Sequence, residues 1–450
     1  MLFNSVESLK MKCESILDFS GENINIINRD KFNRELLREL ALNSAINENI
    51  DVVKESRRII RYLAKANGIF LASINNIYMA ISDDNSVDFT VPAINLRMMT
   101  YDSSRAVFRS AKKINAGLFI FEIARSEIAY TKQQPDEYVT SIMAAALREN
   151  YTGPLFIQGD HFQIKAKKYF SNMRDNELNT INKLIREAIE AGFYNIDIDS
   201  STLVDLSKST IKEQQYHNYK ICADFTKYIR EIEPENINVS IGGEIGEIGK
   251  GNSTEEELRA FIEGFQEELG SSQTGISKIS IQTGTAHGGV VLPNGNIAEV
   301  KIDFNTLKKL GDISKKDYKI GGVVQHGAST LPDEAFHHFP DNNTLEVHLA
   351  TGFQNIMFDH KKFPRELYNK MVNTLMTEYI SEKKENMTNE QFIYKTRKKI
   401  NEHYKKELWM LDKDIRQSIE ETWEEKFDFL FKQLKIKDTI DYVEKYITKS

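Results

Sequence analysis

Three histidines carry the clearest chemical signal in the chain. Each ends a short apolar run and stands beside small residues: Gly159-Asp160-His161, Thr285-Ala286-His287-Gly288-Gly289 and Gln325-His326-Gly327-Ala328-Ser329. The preceding runs Leu155-Phe156-Ile157, Ile279-Ser280-Ile281 and Gly322-Val323-Val324 read as β-strands. Their imidazoles would then project from strand C-termini, where parallel α/β folds build active sites. Three converging imidazoles make an open site for zinc or a similar borderline metal, with a coordination position left for substrate. A lone histidine is more readily a surface or core residue, so the repeated context is what gives these three weight.

The elements that must position them follow from hydrophobic spacing. Residues 1–84 read as an N-terminal helical extension, with helical periodicity over Lys31 to Ile46 and Asp51 to Ala66. From there the pattern changes to short strand-like runs: Phe89 to Asn95, Gly117 to Ile123, Pro154 to Gln158, Asn195 to Asp199, Ile237 to Ile241, Lys278 to Thr283, Gly322 to Gln325 and Leu345 to Leu349. Amphipathic segments such as Ala106 to Asn115, Glu177 to Ala191, Tyr219 to Ile232 and Glu255 to Leu269 separate them. Eight strands alternating with helices predict an α/β fold, a (β/α)8 TIM barrel over 85–380. Residues 381–450 form a charged C-terminal helical extension, with Trp409, Leu411, Trp423, Phe427 and Leu430 as apolar surface to pack on the barrel or on another subunit.

Composition narrows the partners. A formal net charge of -7 offers no basic stripe for nucleic acid or acidic membranes. No run reaches the roughly 18 to 20 apolar residues of a membrane helix, and the N-terminus lacks a basic region followed by an apolar block. Cys13 and Cys222 form neither a disulfide framework nor a Cys-x-x-Cys site. The expectation is a cytoplasmic enzyme of small molecules, binding neither nucleic acid nor membrane and assembling as a homo-oligomer.

Six segments also occur in the order and approximate spacing of a known family: Val91-Pro92-Ala93-Ile94-Asn95, Gly159-Asp160-His161, Gly192 through Ser201, Gly243-Glu244-Ile245-Gly246, Gly284 through Gly288, and His326-Gly327-Ala328-Ser329. In these the chain resembles the class II, metal-dependent fructose-bisphosphate aldolases, across the whole expected barrel. The resemblance implies that His161, His287 and His326 bind zinc or another divalent metal, with Glu244 as a further ligand or close partner and a monovalent cation as a second cofactor. It implies Asp160 as catalytic acid/base, with the metal stabilising the enediolate formed when the carbon-carbon bond of a ketose phosphate breaks. Asp199 would orient a ligand ring. Gly288, Gly327 and Ser329 would offer backbone NH groups and a hydroxyl to a phosphate, and Asn95 and Thr351 would contact the sugar. The default reaction is cleavage of fructose 1,6-bisphosphate to dihydroxyacetone phosphate and glyceraldehyde 3-phosphate.

Two departures bear on substrate. Where the family's last motif reads Asn-x-Asp-Thr-Asp, this chain has His348-Leu349-Ala350-Thr351-Gly352, so polar contacts that would discriminate substrates are exchanged. After Gly246, Glu247 and Glu255 are alternative proton-abstracting bases, although Thr254-Glu255-Glu256-Glu257 is equally a capped helix start. Glu122 through Glu127, with Arg125, reads either as a pocket or as an ion-pair network. His337 and His338 read as surface residues. The alternative function is a non-catalytic accessory subunit of a ketose-bisphosphate aldolase on the same barrel.

Overall fold

Strands buried on both faces need side chains that tolerate burial on both, so they read as short continuous runs rather than as alternating patterns. That is how the sheet of this protein is written. The computed structural model describes the chain except residues 22, 85, 247–250, 285–291, 293–301 and 448–450. Its strands are β1 (Leu17–Ser20), β2 (Asn23–Ile26), β3 (Ile69–Ala72), β4 (Val91–Asn95), β5 (Ile120–Ala124), β6 (Gly153–Gln163), β7 (Asn195–Asp199), β8 (Ser240–Glu244), β9 (Lys278–Ile281), β10 (Val323–Gln325) and β11 (Glu346–Leu349). Strands β4 to β11 run parallel in sequence order, and pairing of β6 with β7 and of β11 with β4 closes them into a (β/α)8 barrel. Helices Thr100–Lys113, Pro135–Arg148, Arg174–Ala191, Ile211–Ile232, Glu255–Leu269 and Phe304–Tyr318 make successive crossovers. Each of the eight expected runs overlaps a strand, although β8 begins at Ser240 rather than at Ile237.

The N-terminal region is less purely helical than its periodicity suggests. Strands β1 and β2 form an antiparallel hairpin, with Leu17 opposite Ile26 and Leu17 and Ile24 buried. Strand β3 joins the barrel sheet beside the first half of β6, from Ile69 opposite Gly153 to Ala72 opposite Phe156, before β7 takes over that edge at Gln158. Asn195 stitches the junction. Its amide accepts from the Ile74 backbone NH at 2.8 Å and donates to the Ile157 carbonyl at 3.0 Å. The short helix that follows β3, Asn75–Asp83, then carries Tyr78 into contact with Glu346 of β11.

The C-terminal helix Lys413–Gln433 packs along Thr100–Lys113. Phe119 and Phe431 stack at 6.0 Å, Arg105 and Arg109 pair with Glu420 and Glu424, and the buried Trp423 donates its indole NH to the Phe353 carbonyl at 2.8 Å. Among the described residues no helix is long and apolar enough to cross a membrane.

Candidate metal centre and active site

A bulge in β6 builds the heart of the site. Gly159 faces Ile196 of β7, but the next registered pair is Phe162 with Ile198, so Asp160 and His161 together oppose the single residue Asp197. A bulge adds twist and re-aims side chains. Here it turns two consecutive polar residues toward the barrel mouth, and His161 takes φ +40°, a conformation that costs a non-glycine residue about 1–3 kcal/mol. Gly159 permits the fold-back, because a Cβ there would meet the Phe162 ring at 2.5 Å.

Around His161 of β6 lies a cluster drawn from β7, β8, β9 and the end of β10. His161 Nδ1 is 3.2 Å from both Asp199 Oδ2 and Glu244 Oε2, and the His161 and His326 rings are 4.3 Å apart. His326 Nε2 sits 2.9 Å from the Ser280 hydroxyl. Donor atoms of His161, Glu244 and His326 all fall within 4.8 Å of one another. Burial lifts the Glu244 carboxyl to about 7, Asp199 adds repulsion, and His161 only partly offsets them. Burial disfavours charge on His161, yet Asp160, Glu244 and Asp199 outweigh it and raise its pKa well above the ordinary value. Two imidazoles and a carboxylate under-neutralised by the protein's own groups suit zinc as a donor set. His287, the third expected imidazole, and Gly288 lie outside the described residues, as does Glu247.

Beneath this cluster runs a second one. His348 of β11 directs Nδ1 toward Glu122 at 2.9 Å and Asp160 at 3.4 Å, and Nε2 toward Glu346 at 2.6 Å. Lys278, fully buried, places its ammonium 2.5 Å from Glu346, 3.0 Å from Asp197 and 2.6 Å from Gln158 Oε1. The Tyr78 hydroxyl donates to Glu346 from below. Burial alone would raise Glu346, but Lys278 and His348 hold it well below the carboxylate range. Burial opposes charge on His348, and Glu122, Asp160 and Glu346 overcome it. Both ring nitrogens face carboxylates, so the protonated form fits the geometry. Gly242 makes room, since a Cβ would strike Asp197 Oδ1 at 2.2 Å.

A cavity of about 490 Å³ opens over these groups, with Asn95, Glu122, Asp160, His161, His326, Gly327, Ser329, His348 and Thr351 among its lining. Asn95 donates to Glu127 at 2.6 Å, which also binds Arg97 at 2.7 Å; Arg97 reaches Thr351 Oγ1 at 3.3 Å. Gly327 turns the chain after His326 with φ +70°, which favours glycine. Arg125 lines the cavity and is paired with Glu177 at 2.5 Å. Glu255 stands in the capped first turn of its helix, paired with Arg259 and Lys309, and is absent from the cavity lining. His337 and His338 stack at 3.9 Å beside Asp341 on the outside of the barrel. Lys278, Glu346, Gln158, Arg97 and Lys398 are not marked out by the sequence; Lys278 and Glu346 are the first residues of β9 and β11, and of the deep cluster's basic groups only His348 stood in a motif.

The barrel and the bulged Gly159-Asp160-His161 strand end define a class: parallel-barrel enzymes with an active site at the C-terminal strand ends. The particular family is fixed by a match of residues 76–432 to the family model of Fructose-bisphosphate aldolase class-II, and the chain belongs to that family. No curated protein matches it. Among solved structures, it is similar to a probable tagatose 6 phosphate kinase from Sinorhizobium meliloti 1021, at 12% identity over 79% of this chain and 99% of that one, with TM-score 0.52. Fructose-bisphosphate aldolase from Campylobacter jejuni matches at 18% identity, 82% and 97% coverage and TM-score 0.49. Fructuronate-tagaturonate epimerase from Cohnella laeviribosi matches at 12% identity, 94% and 88% coverage and TM-score 0.49.

Proposed function

We propose that the protein is a zinc-dependent lyase that cleaves or forms a carbon-carbon bond beside the carbonyl of a phosphorylated ketose. The observation that carries this reading is the β6 bulge, which presents Asp160 and His161 side by side to a cavity they share with His326, with Glu244 next to both imidazoles. His161, Glu244 and His326, joined by His287, would hold the ion, which when bound supplies Lewis-acid stabilisation of negative charge on a substrate oxygen. Asp160 accepts the proton of the hydroxyl on the carbon whose bond breaks. As that oxygen becomes a carbonyl, the bonding pair passes to the carbon beside the existing carbonyl. His348, anchored by Glu122 and Glu346, borders Asp160 and fixes its orientation. Gly327 and Ser329, with Gly288, would take the phosphate, and Asn95 and Thr351 the sugar hydroxyls.

Fructose 1,6-bisphosphate is the default substrate, and the exchange of an asparagine for His348 and of an acid for Ala350 makes a different hydroxyl pattern equally worth assaying. The test is a panel of ketose mono- and bisphosphates offered to protein loaded with zinc or cobalt. Cleavage of at least one is expected, falling about 10²–10⁴-fold in Asp160→Asn at unchanged metal content. A loaded wild-type chain that cleaves none of them rules the reading out.

A further inference from the structure

The cavity wall is not made by the barrel alone. Lys398, from the short turn Arg397–Ile400 in the C-terminal region, lies among its lining residues. Its sequence neighbours are both spoken for: Arg397 pairs with Asp359 at 2.7 Å and Lys399 with Glu382 at 2.5 Å. Lys398 has no carboxylate partner among the described residues, and its ammonium stands 5.8 Å over the Tyr130 ring. The arginines of the same wall are neutralised, Arg97 by Glu127 and Arg125 by Glu177. Lys165, at the exposed rim, is the other lining cation without a carboxylate partner among the described residues.

A partly buried ammonium with no carboxylate in contact is costly to keep. The cost is felt here: burial lowers the pKa of Lys398 and the nearby Arg97 lowers it further, and Glu127 and Glu382 offset only part of this. Held beside a cavity, such a group is a ready anchor for an anion. Its place is set by Arg97 and Tyr130, which follow β4 and β5, whereas Gly327 and Ser329 follow β10. The cavity therefore offers two separate positions for negative charge.

We propose that Lys398 of the C-terminal region is a specificity-determining residue, binding a second anionic group, phosphate or carboxylate, at the end of the sugar away from the Gly327 turn. The proposal rests on the sugar-phosphate reading above and deepens it. The C-terminal region then belongs to the binding site, and the preferred substrates carry negative charge at both ends.

The test uses the zinc-loaded full chain and calorimetric titration with three non-cleavable ligands: a hexitol 1,6-bisphosphate, the matching 1-phosphate, and the analogue with a carboxylate in place of the distal phosphate. Lys398→Gln should weaken the bisphosphate at least about tenfold and the 1-phosphate less than about twofold, with Lys398→Arg close to wild type, as for loss of one charge-assisted contact. Whichever doubly anionic ligand shows the larger dependence on Lys398 identifies phosphate or carboxylate as the group read. Equal weakening of all three ligands, no weakening, or failure of the wild-type chain to bind any of them overturns the proposal. Lys398-dependent binding without cleavage of any ketose phosphate sinks the lyase reading alone; cleavage with binding indifferent to Lys398 sinks this inference alone.

Discussion

Glu244 and Glu346 are the same residue type at opposite ends of their strands, both set among histidines and acids, and they are driven in opposite directions. Glu244 is lifted to about 7, because burial and Asp199 outweigh His161. Glu346 is held far down, because Lys278 and His348 outweigh burial. The lower cluster has its cation built into the chain, and its charge is settled as the barrel closes. The upper cluster gathers carboxylates and imidazoles without a comparable fixed cation among the described residues, which is what a site for a soluble cation requires. Two clusters of opposite electrostatic balance are stacked one above the other in the same barrel.

The largest effect should come from breaking the lower cluster. Lys278→Met leaves Glu346 and Asp197 buried without their ammonium, and loss of one member of such a pair costs about 3–5 kcal/mol. Urea unfolding of metal-free protein would read it. A loss below about 1 kcal/mol would mean that Tyr78, Gln158 and His348 already satisfy Glu346, and the contrast with Glu244 would collapse.

Next in size is a pH effect at Glu244. A carboxyl whose folded pKa lies above its unfolded value binds more protons in the native state, so its contribution is complete below about pH 4.5 and is lost as pH rises toward 7. In chelator-treated protein, Glu244→Gln should therefore match wild type in acid and exceed it increasingly up to pH 7, by a slope of at most about 1.4 kcal/mol per pH unit. Parallel stability curves for the two proteins across that window would show that Glu244 is not strained by burial.

Zinc should reverse that order. At about 100 times its dissociation constant, a ligand that binds only the native state adds about 2.7 kcal/mol. Wild type should gain this on zinc addition, and His326→Ala should not. Lys278→Met, although less stable at the start, should keep the gain, because its defect lies below the donor set.

How much of this could be read from the chain depends on whether the signal was local. The eight strands were legible because each is a short apolar run, and Asn195–Asp199 even keeps its limits. Strand β6 runs on to Gln163, beyond the expected Gln158, because the bulge carries polar residues into the sheet. The hairpin β1–β2 was passed over although Leu17-Asp18-Phe19-Ser20 and Asn23-Ile24-Asn25-Ile26 alternate around Gly21; a long helical context masked two four-residue runs. His161 and His326 stood out because histidine is scarce and glycines sit beside them. Lys278 and Glu346 did not, since lysine and glutamate at a strand start ordinarily mean solvent, and their pairing spans 68 residues. Lys398 is further still from the site in sequence, and nothing local distinguishes it from its two charged neighbours.

The smallest effect expected is also the most selective. Asp199 accepts hydrogen bonds from the Ser201 backbone NH at 3.1 Å and hydroxyl at 2.6 Å, and its other oxygen faces His161 Nδ1 at 3.2 Å. Burial would raise its pKa, but His161, Ser201 and Gln163 lower it on balance, so a carboxylate is fixed behind the imidazole and favours the proton on Nδ1. Asp199→Asn keeps the shape and removes the charge, and changes of this kind cost about 10–100-fold in metal affinity. Competition with a chromophoric chelator would measure it, beside Glu346→Gln as a control that alters the lower cluster alone. If the two variants weaken zinc binding equally, the clusters act as one electrostatic unit; if Asp199→Asn alone does so, the barrel keeps its structural charge and its metal-binding charge separate.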